Sequence, residues 1–168
     1  MRKLLVVAGG LALAGCNAER ATAEVVDTNG MRVGTVRAVQ RGDTVEFTVD
    51  ATGLPPGAHG IHLHEVGRCD LPDFMSAGAH FNPAGKKHGH LSPEGFHAGD
   101  LSNLTADASG RVNHLTNTNA VTLGEGANSV FDADGTAFVI HANPDDNQTD
   151  PSGNSGARIA CGVLVREE

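Results

Sequence analysis

The 168-residue sequence predicts an all-β domain, an eight-stranded antiparallel Greek-key sandwich or barrel that carries two long functional loops. Glycine accounts for 22 residues, which is a high number and typical of a chain with many turns. Hydrophobic residues make up 39%, enough to form a core, whereas aromatic residues make up only 4% and neither Trp nor Tyr occurs. Short runs of alternating apolar and polar residues recur between turn signals. These observations exclude a coiled coil and a polytopic membrane protein.

Most of the alternating runs end at a recognisable turn signal. Asn29-Gly30 is a strong hairpin signal that follows the first run. In the third run, Val45, Phe47 and Val49 share one face, because successive side chains of a strand point to opposite faces. The predicted strands cover residues 23–27, 31–40, 44–50, 60–65, 111–115, a further segment before residue 132, 136–141 and 157–165.

Two stretches of the sequence lack strand periodicity, and the first of them is dense in Gly, Pro, His and Asp. They cover residues 67–100 and 142–156. Irregular loops longer than about 12–15 residues are uncommon in compact domains unless they have a function. We therefore predict that both loops are functional and that something holds the first of them in place.

The N-terminus has the pattern of an export signal. Arg2 and Lys3 precede an apolar run over residues 4–14, which is too short to span a bilayer, since a membrane helix needs about 20 residues. The run leads into Leu-Ala-Gly-Cys16, which resembles the lipobox of bacterial lipoproteins and implies cleavage before Cys16 and lipidation of its thiol. A plain signal peptide cleaved within residues 18–23 is the alternative.

This processing would divide the chain into a lipoprotein signal peptide, a flexible tether and one domain, over residues 1–15, 16–24 and 25–168. The lipid on Cys16 would anchor an exported protein that faces the periplasm. Asn17 stands where lipoproteins retained at the inner membrane carry Asp, which favours the outer membrane. Export would also place Cys69 and Cys161 in an oxidising compartment, where two thiols tend to pair.

The chain is acidic, with 12 Lys and Arg residues against 20 Asp and Glu residues and a formal net charge of -8. Binding to nucleic-acid phosphates needs a clustered basic surface. We therefore expect no nucleic-acid partner.

Several of the nine histidines are spaced as metal ligands. His62 and His64 alternate on a predicted strand, so that both imidazoles lie on the same face. His141 ends another predicted strand, which a barrel could bring beside them. The first long loop adds the potential ligands His80, His88, His97 and Asp100. Three imidazoles and one carboxylate suit a tetrahedral zinc ion. A solvated, histidine-rich loop that binds metals loosely is the alternative.

Four motifs closely resemble those of the copper/zinc superoxide dismutases. They are Gly-Ile-His-Leu-His-Glu at 60–65, Ala-His-Phe-Asn-Pro at 79–83, His-Ala-Gly-Asp-Leu at 97–101 and Gly-Asn-Ser-Gly-Ala-Arg-Ile-Ala-Cys-Gly-Val at 153–163. The resemblance covers most of residues 31–165. It implies an enzyme that disproportionates superoxide to dioxygen and hydrogen peroxide by alternating Cu(II) and Cu(I). One copper ion and one structural zinc ion per chain are implied with it.

The resemblance also implies roles for individual residues. The copper ligands would be His62, His64, His80 and His141. The zinc ligands would be His80, His88, His97 and Asp100. His80 would therefore bridge the two ions as an imidazolate and take a proton during the cycle. Asp145 would hydrogen-bond one ligand of each metal, and Arg158 would orient the anionic substrate beside copper. Cys69 and Cys161 would form the family disulfide.

The other histidines are expected to lie outside the metal sites. His59 matches a family position whose role is structural, as a hydrogen-bond partner of backbone beneath the copper strand. His114 is most simply a surface residue of a strand. The spacing from His80 favours His88 over the nearby His90 as a ligand.

The roles of two lysines, the function and the oligomeric state each leave an alternative open. Lys86 and Lys87 are candidates for guiding superoxide, and ordinary solubility is the other explanation of their charge. The alternative function is a non-catalytic surface lipoprotein that binds or buffers copper and zinc. A copper-only relative should lack the zinc ligands or Arg158, all of which are present. The resemblance allows a homodimer but does not define its surface, since bacterial and eukaryotic relatives pair through different surfaces.

Overall fold

The computed structural model describes residues 18–168, so the predicted signal peptide and Cys16 lie outside the described residues. Residues 18–168 form ten strands: β1 (Arg20–Asp27), β2 (Arg32–Arg41), β3 (Thr44–Ala51), β4 (Gly57–His59), β5 (Ile61–His64), β6 (Leu104–Ala106), β7 (Val112–Thr118), β8 (Ala137–His141), β9 (Arg158–Val163) and β10 (Val165–Arg166). A single-turn 3-10 helix, Met75–Ala77, lies in the long loop between β5 and β6. None of the helices within this range is long and apolar enough to cross a membrane.

An antiparallel sheet of eight strands forms the body of the molecule. Its strands run in the order β5-β8-β9-β1-β2-β3-β7, and β10 pairs with β1 beside this path. β4 and β6 pair separately as a two-stranded sheet. The predicted all-β antiparallel architecture is therefore confirmed.

Three phenylalanines, Phe47, Phe81 and Phe138, are buried in a core that is otherwise mainly aliphatic. Phe47 of β3 and Phe138 of β8 are fully buried, and their ring centroids lie 6.3 Å apart. Val45 and Val49 are buried with Phe47, as the alternation predicted. Burying a side chain of this kind contributes about 1.5–3 kcal/mol. Because Leu63 of β5 belongs to the same core, β5 and β8 have fixed positions next to the long loops.

The start of β1 differs from the sequence prediction. β1 begins at Arg20, so the predicted tether over residues 16–24 was wrong for residues 20–24. Ala21 and Ala23 are fully buried and pair with β2. Alanine alternating with polar residues resembles a linker in the sequence, because a methyl group is a weak hydrophobic signal. It becomes part of a core when neighbouring strands pack against it.

Two short strands correct the prediction elsewhere. The segment before Ile61 forms β4, and the segment after the first long loop forms β6, in which Leu104 is fully buried. Neither was predicted as a strand, because three residues are too few to establish a period of two. The two strands pair with each other in antiparallel fashion, apart from the eight-stranded sheet.

A disulfide joins Cys69, near the start of the first long loop, to Cys161 of β9. The two Cα atoms lie 5.7 Å apart. The predicted disulfide is confirmed, and it attaches the loop to the centre of the eight-stranded sheet.

Candidate metal centre

Strand pairing brings the first three histidines together. His62 and His64 are buried on β5, which is antiparallel to β8. His141 lies at the end of β8, where its backbone N–H donates to the carbonyl of Gly60 at 2.9 Å. The ring centroid of His141 consequently lies 4.8 Å from that of His62 and 5.6 Å from that of His64. The sequence expectation that a barrel returns His141 to this strand agrees with the observed register.

The first long loop is held against the edge of β5 by backbone hydrogen bonds. The N–H of Phe81 donates to the carbonyl of Leu63 at 2.8 Å, and the N–H of Leu63 donates to the carbonyl of Gly99 at 2.9 Å. Isolated bridges pair His64 with His80 and His62 with Asp100. These contacts place His80 beside the two histidines of β5, with its ring stacked at 3.9 Å on that of His62.

Four buried ring nitrogens of the histidines just described have no hydrogen-bond partner within residues 18–168. We call their residues the strand set: His62 (Nδ1), His64 (Nε2), His80 (Nε2) and His141 (Nε2). Each residue of the set offers a ligand atom that lies within 4.8 Å of the others. A buried polar atom without a partner costs about 1–3 kcal/mol, so four of them at one place indicate a position that binds a ligand. An all-nitrogen donor set fits a copper ion.

The opposite nitrogen of each ring in the strand set is fixed by a neighbour. His64 Nδ1 is 3.0 Å from the carbonyl oxygen of Gly78, and His141 Nδ1 is 3.2 Å from that of Gly156. His62 Nε2 is 2.7 Å from a carboxylate oxygen of Asp145. Such contacts select the tautomer and aim the free nitrogen at the metal position.

The surroundings keep the imidazoles of the strand set neutral. Burial lowers the pKa of His80 to about 4 and that of His141 to about 3, and nearby imidazoles add to the effect. Burial also lowers the pKa of His62 and, more strongly, that of His64. At neutral pH each free nitrogen therefore presents a lone pair rather than a proton, which is the form that binds a metal ion.

A second group of ligand atoms surrounds one carboxylate oxygen of Asp100. We call its residues the loop set: His80, His88, His97 and Asp100. From Asp100 Oδ1, the Nδ1 atoms of His80, His88 and His97 lie at 3.0, 3.1 and 3.4 Å, and His80 Nδ1 lies 3.4 Å from His97 Nδ1. Tetrahedral zinc with ligand distances of 2.0–2.1 Å would space its ligands about 3.3–3.4 Å apart. The observed spacings fit zinc closely.

A grouping with His62 in place of His97 also brings four ligand atoms within 4.8 Å. His62 Nε2 is already bonded to Asp145, however, and His62 Nδ1 belongs to the strand set. The second oxygen of Asp100 accepts the backbone N–H groups of Gly89 and His97, which leaves Oδ1 for the metal. His97 is therefore the better fourth member.

Asp145 connects the two sets through one carboxylate. Its oxygens lie 2.7 Å from His62 Nε2 and 3.0 Å from His88 Nε2. Burial would raise the pKa of Asp145, but these hydrogen bonds outweigh it and hold the pKa well below its usual range. Burial likewise opposes the charge on His88, yet the carboxylates of Asp100 and Asp145 raise its pKa to about 9.

Asn103 holds the backbone of Asp145 and was not singled out as a site residue from the sequence. Its Oδ1 accepts the N–H of Asp145 at 2.8 Å, and its Nδ2 donates to the Asp145 carbonyl at 2.9 Å. Nothing in the spacing of a single Asn marks such a role.

A cavity of about 620 Å³ opens onto the strand set. His64, His80, His141 and Arg158 contribute to its lining. The guanidinium of Arg158 donates to the carbonyls of Phe74 and Gly78, each at 2.6 Å. Gly78 also accepts from His64, so the segment near the disulfide positions a metal-facing imidazole and a cationic side chain together. This arrangement can attract a small anion to the metal position.

The remaining histidines lie outside both sets. His59 is buried, with its ring nitrogens 2.8 Å from the carbonyl oxygen of His141 and 2.7 Å from that of Pro55, which agrees with a structural role. His90 is exposed and its ring lies 4.3 Å from that of Phe96. His114 lies on β7 and is half-buried rather than fully on the surface.

The two lysines expected to guide an anion are not among the residues that line the cavity. Lys87 pairs with Asp150 at 3.4 Å, which offsets part of its charge. The backbone of Lys86 is held at both ends by the Asn82 side chain.

The fold and the two sets define a protein built to hold two adjacent metal ions. The copper/zinc superoxide dismutase family model matches residues 32–164. The chain is 48% identical over 144 residues to Cu-Zn superoxide dismutase 1 of Aquifex aeolicus, covering 84% of this chain and 85% of that protein. It is 46% identical over 170 residues to Cu-Zn superoxide dismutase 2 of the same organism, covering 98% and 99%.

A solved structure agrees with these sequence relatives. A SOD-like protein from Bacillus subtilis has a TM-score of 0.80 and 42% identity to this chain, covering 86% of this chain and 97% of that one. The chain belongs to the copper/zinc superoxide dismutase family, and its cofactors are copper and zinc.

Proposed function

We propose that the chain disproportionates superoxide to dioxygen and hydrogen peroxide, with copper held by the strand set and zinc by the loop set. The observation that carries this proposal is that four ring nitrogens without a hydrogen-bond partner among residues 18–168 converge on one position, and that three of their residues, His64, His80 and His141, line the cavity beside Arg158. Bound copper would supply the one-electron chemistry that oxidises one superoxide anion and reduces the next. The protein residues supply geometry, access and protons.

Arg158 is proposed to hold the anion. Two of its N–H groups are used by the carbonyls of Phe74 and Gly78, which leaves others of its five donors free. A guanidinium fixed in this way loses little side-chain entropy when an anion binds. The anion is thereby oriented towards His64 and His141, which line the same cavity.

His80 is proposed to take up a proton at its Nε2 atom and to deliver it to the bound anion. This nitrogen belongs to the strand set, and the residue lines the cavity, whereas Nδ1 faces Asp100 in the loop set. A proton taken up at Nε2 would therefore be held next to the bound anion. The loop set keeps the ring in place through its other nitrogen, so the proton can be delivered without movement of the backbone.

The test combines metal analysis with a superoxide-decay assay on purified, metal-loaded protein. We expect one copper and one zinc ion per chain together with rapid decay. Several loosely held ions without decay would support the alternative, a copper- and zinc-buffering protein, and would contradict the proposal.

We propose in addition that the protein is exported to the periplasm and anchored through a lipid on Cys16, after removal of residues 1–15. The disulfide supports export, because such bonds persist in oxidising compartments. Intact-mass measurement of the mature protein checks this directly. A mass that includes lipid at Cys16 is expected, and an unmodified chain cleaved within residues 18–23 would contradict the anchor. A homodimer stays a prediction that sedimentation would test.

A further inference from the structure

The second long loop, residues 142–156, contacts the zinc half of the centre through Asp150 as well as through Asp145. The backbone N–H of His88 donates to Asp150 Oδ1 at 2.8 Å, and Lys87 Nζ lies 3.4 Å from Asp150 Oδ2. A few residues away, the N–H of Leu91 donates to the carbonyl of Asn147 at 3.0 Å. The second loop therefore holds the backbone of the first on both sides of Gly89.

The fit between the two loops is close at Gly89. This glycine has a φ of +90°, and a Cβ there would collide with the carbonyl of Asn147. Its N–H donates to Asp100 Oδ2 at 2.8 Å. One face of this short segment therefore contacts the loop set, and the other face contacts the second loop.

His88 depends on these contacts because it belongs to no strand. Asp145 fixes the far nitrogen of its ring at 3.0 Å, but a ring is positioned only if its backbone is also positioned. Among the hydrogen bonds of residues 18–168, the bond to Asp150 is the one that holds the His88 backbone N–H. Asp145 and Asp150 thus hold the ring and the backbone of one residue from the same loop.

We infer that Asp150 is a positioning residue for zinc, acting through its hydrogen bond to the backbone of His88. The inference rests on the zinc site proposed above. The ion pair with Lys87 is secondary, because exposed pairs contribute little. A hydrogen bond between a carboxylate and a backbone N–H is the stronger interaction.

The experiment measures the rate at which the copper- and zinc-loaded protein releases zinc to a chromogenic chelator. Asp150→Ala removes the acceptor and should speed release about 10-fold, the low end for groups that support metal ligands. Asp150→Asn keeps an oxygen that can accept from His88, and Lys87→Met removes only the ion pair. Both of these variants should stay within about 2-fold of wild type.

Asp50→Ala is the matched control. Asp50 pairs with Arg37 at 3.5 Å on the barrel, with 47% of its side chain exposed against 44% for Asp150. Its zinc release should equal that of wild type. Release from Asp150→Ala at the wild-type rate would overturn the inference. So would equally fast release from Lys87→Met or from Asp50→Ala.

Amide hydrogen exchange in the zinc-loaded wild type tests the same contact without any variant. The His88 amide should exchange slowly, and exchange at the rate of an exposed loop amide would overturn the inference. Wild-type protein that retains no zinc would overturn both the zinc site and the role of Asp150. Retained zinc with Asp150→Ala unchanged would overturn the role of Asp150 alone.

Discussion

The proposed copper and zinc halves of the centre, which are the strand set and the loop set, are built on different kinds of backbone. The strand set takes three of its members from β5 and β8, whose register is fixed by the barrel core. Every member of the loop set comes from the first long loop. This loop is held in place by its contacts with β5, with Asp145 and with Asp150. The copper half should therefore keep its geometry without metal better than the zinc half does.

His80 belongs to both halves, so its removal gives the largest expected effect. His80→Ala should lower superoxide-decay activity at least about 100-fold, because the shared ligand of both ions is lost. The barrel should still fold, since His80 lies outside the main core. Circular dichroism and the decay assay measure both consequences.

The control for this variant is His90→Ala, which removes an exposed imidazole outside both sets. Its activity should match that of wild type. Near-normal activity in His80→Ala would contradict the shared-ligand assignment.

The disulfide is the next strongest test, because it ties the first loop to β9. Replacing Cys69 and Cys161 together with Ser should lower the free energy of unfolding by about 2–5 kcal/mol. Activity should fall as well, since the segment from Phe74 to Gly78 positions Arg158. Chemical denaturation measures the first effect. Unfolding at the wild-type denaturant concentration would show that the loop is held by other contacts alone.

The stability of the metal-free protein should depend on pH in opposite directions through the strand set and through His88. His80 and His141 have folded pKa values of about 4 and about 3, below the unfolded value of 6.5, so the unfolded chain binds more protons in this interval. Stability from these groups is present above pH 6.5 and is lost as the pH falls. We expect the contribution of these two groups to the free energy of unfolding to drop by about 4–5 kcal/mol between pH 6.5 and 4.5.

His88 contributes to stability with the opposite pH dependence, because its pKa is raised to about 9 in the folded protein. Its contribution is present below pH 6.5 and is lost as the pH rises through 9. Urea unfolding across this range should therefore show a maximum near neutral pH. A free energy of unfolding that stays constant between pH 4.5 and 6.5 would contradict the neutral, buried strand set.

The smallest expected effect concerns charge at the cavity mouth. Asp73 lines the cavity with Arg158 and accepts the Met75 N–H at 3.0 Å, a bond that Asn can also accept. Asp73→Asn should raise the decay rate about 2-fold at low ionic strength and have no effect at high salt. Asp70→Asn, which removes a carboxylate paired with Arg68 in the same loop, should not change the rate. An equal gain in both variants would contradict a specific role for Asp73.

The sequence predicts the strand-borne half of the centre better than the loop-borne half. His62 and His64 follow from a period of two, and His141 follows from its place at a strand end. The ligands in the first loop could be assigned individually only through a family resemblance, because irregular backbone has no period. Asn103 and Asp150 could not be predicted, since each holds a backbone group that is distant in sequence. The same limit applies to Ala21 and Ala23, whose burial depends on neighbouring strands.

We propose that two ions share His80, with four nitrogens around copper and with three nitrogens and one oxygen around zinc. Anomalous diffraction at the copper and zinc edges, from crystals of the loaded protein, tests it most directly. We expect copper at the four free nitrogens of the strand set and zinc about 2.0–2.1 Å from His80, His88, His97 and Asp100. Zinc bound by His62 in place of His97, or either ion outside these sets, would contradict it.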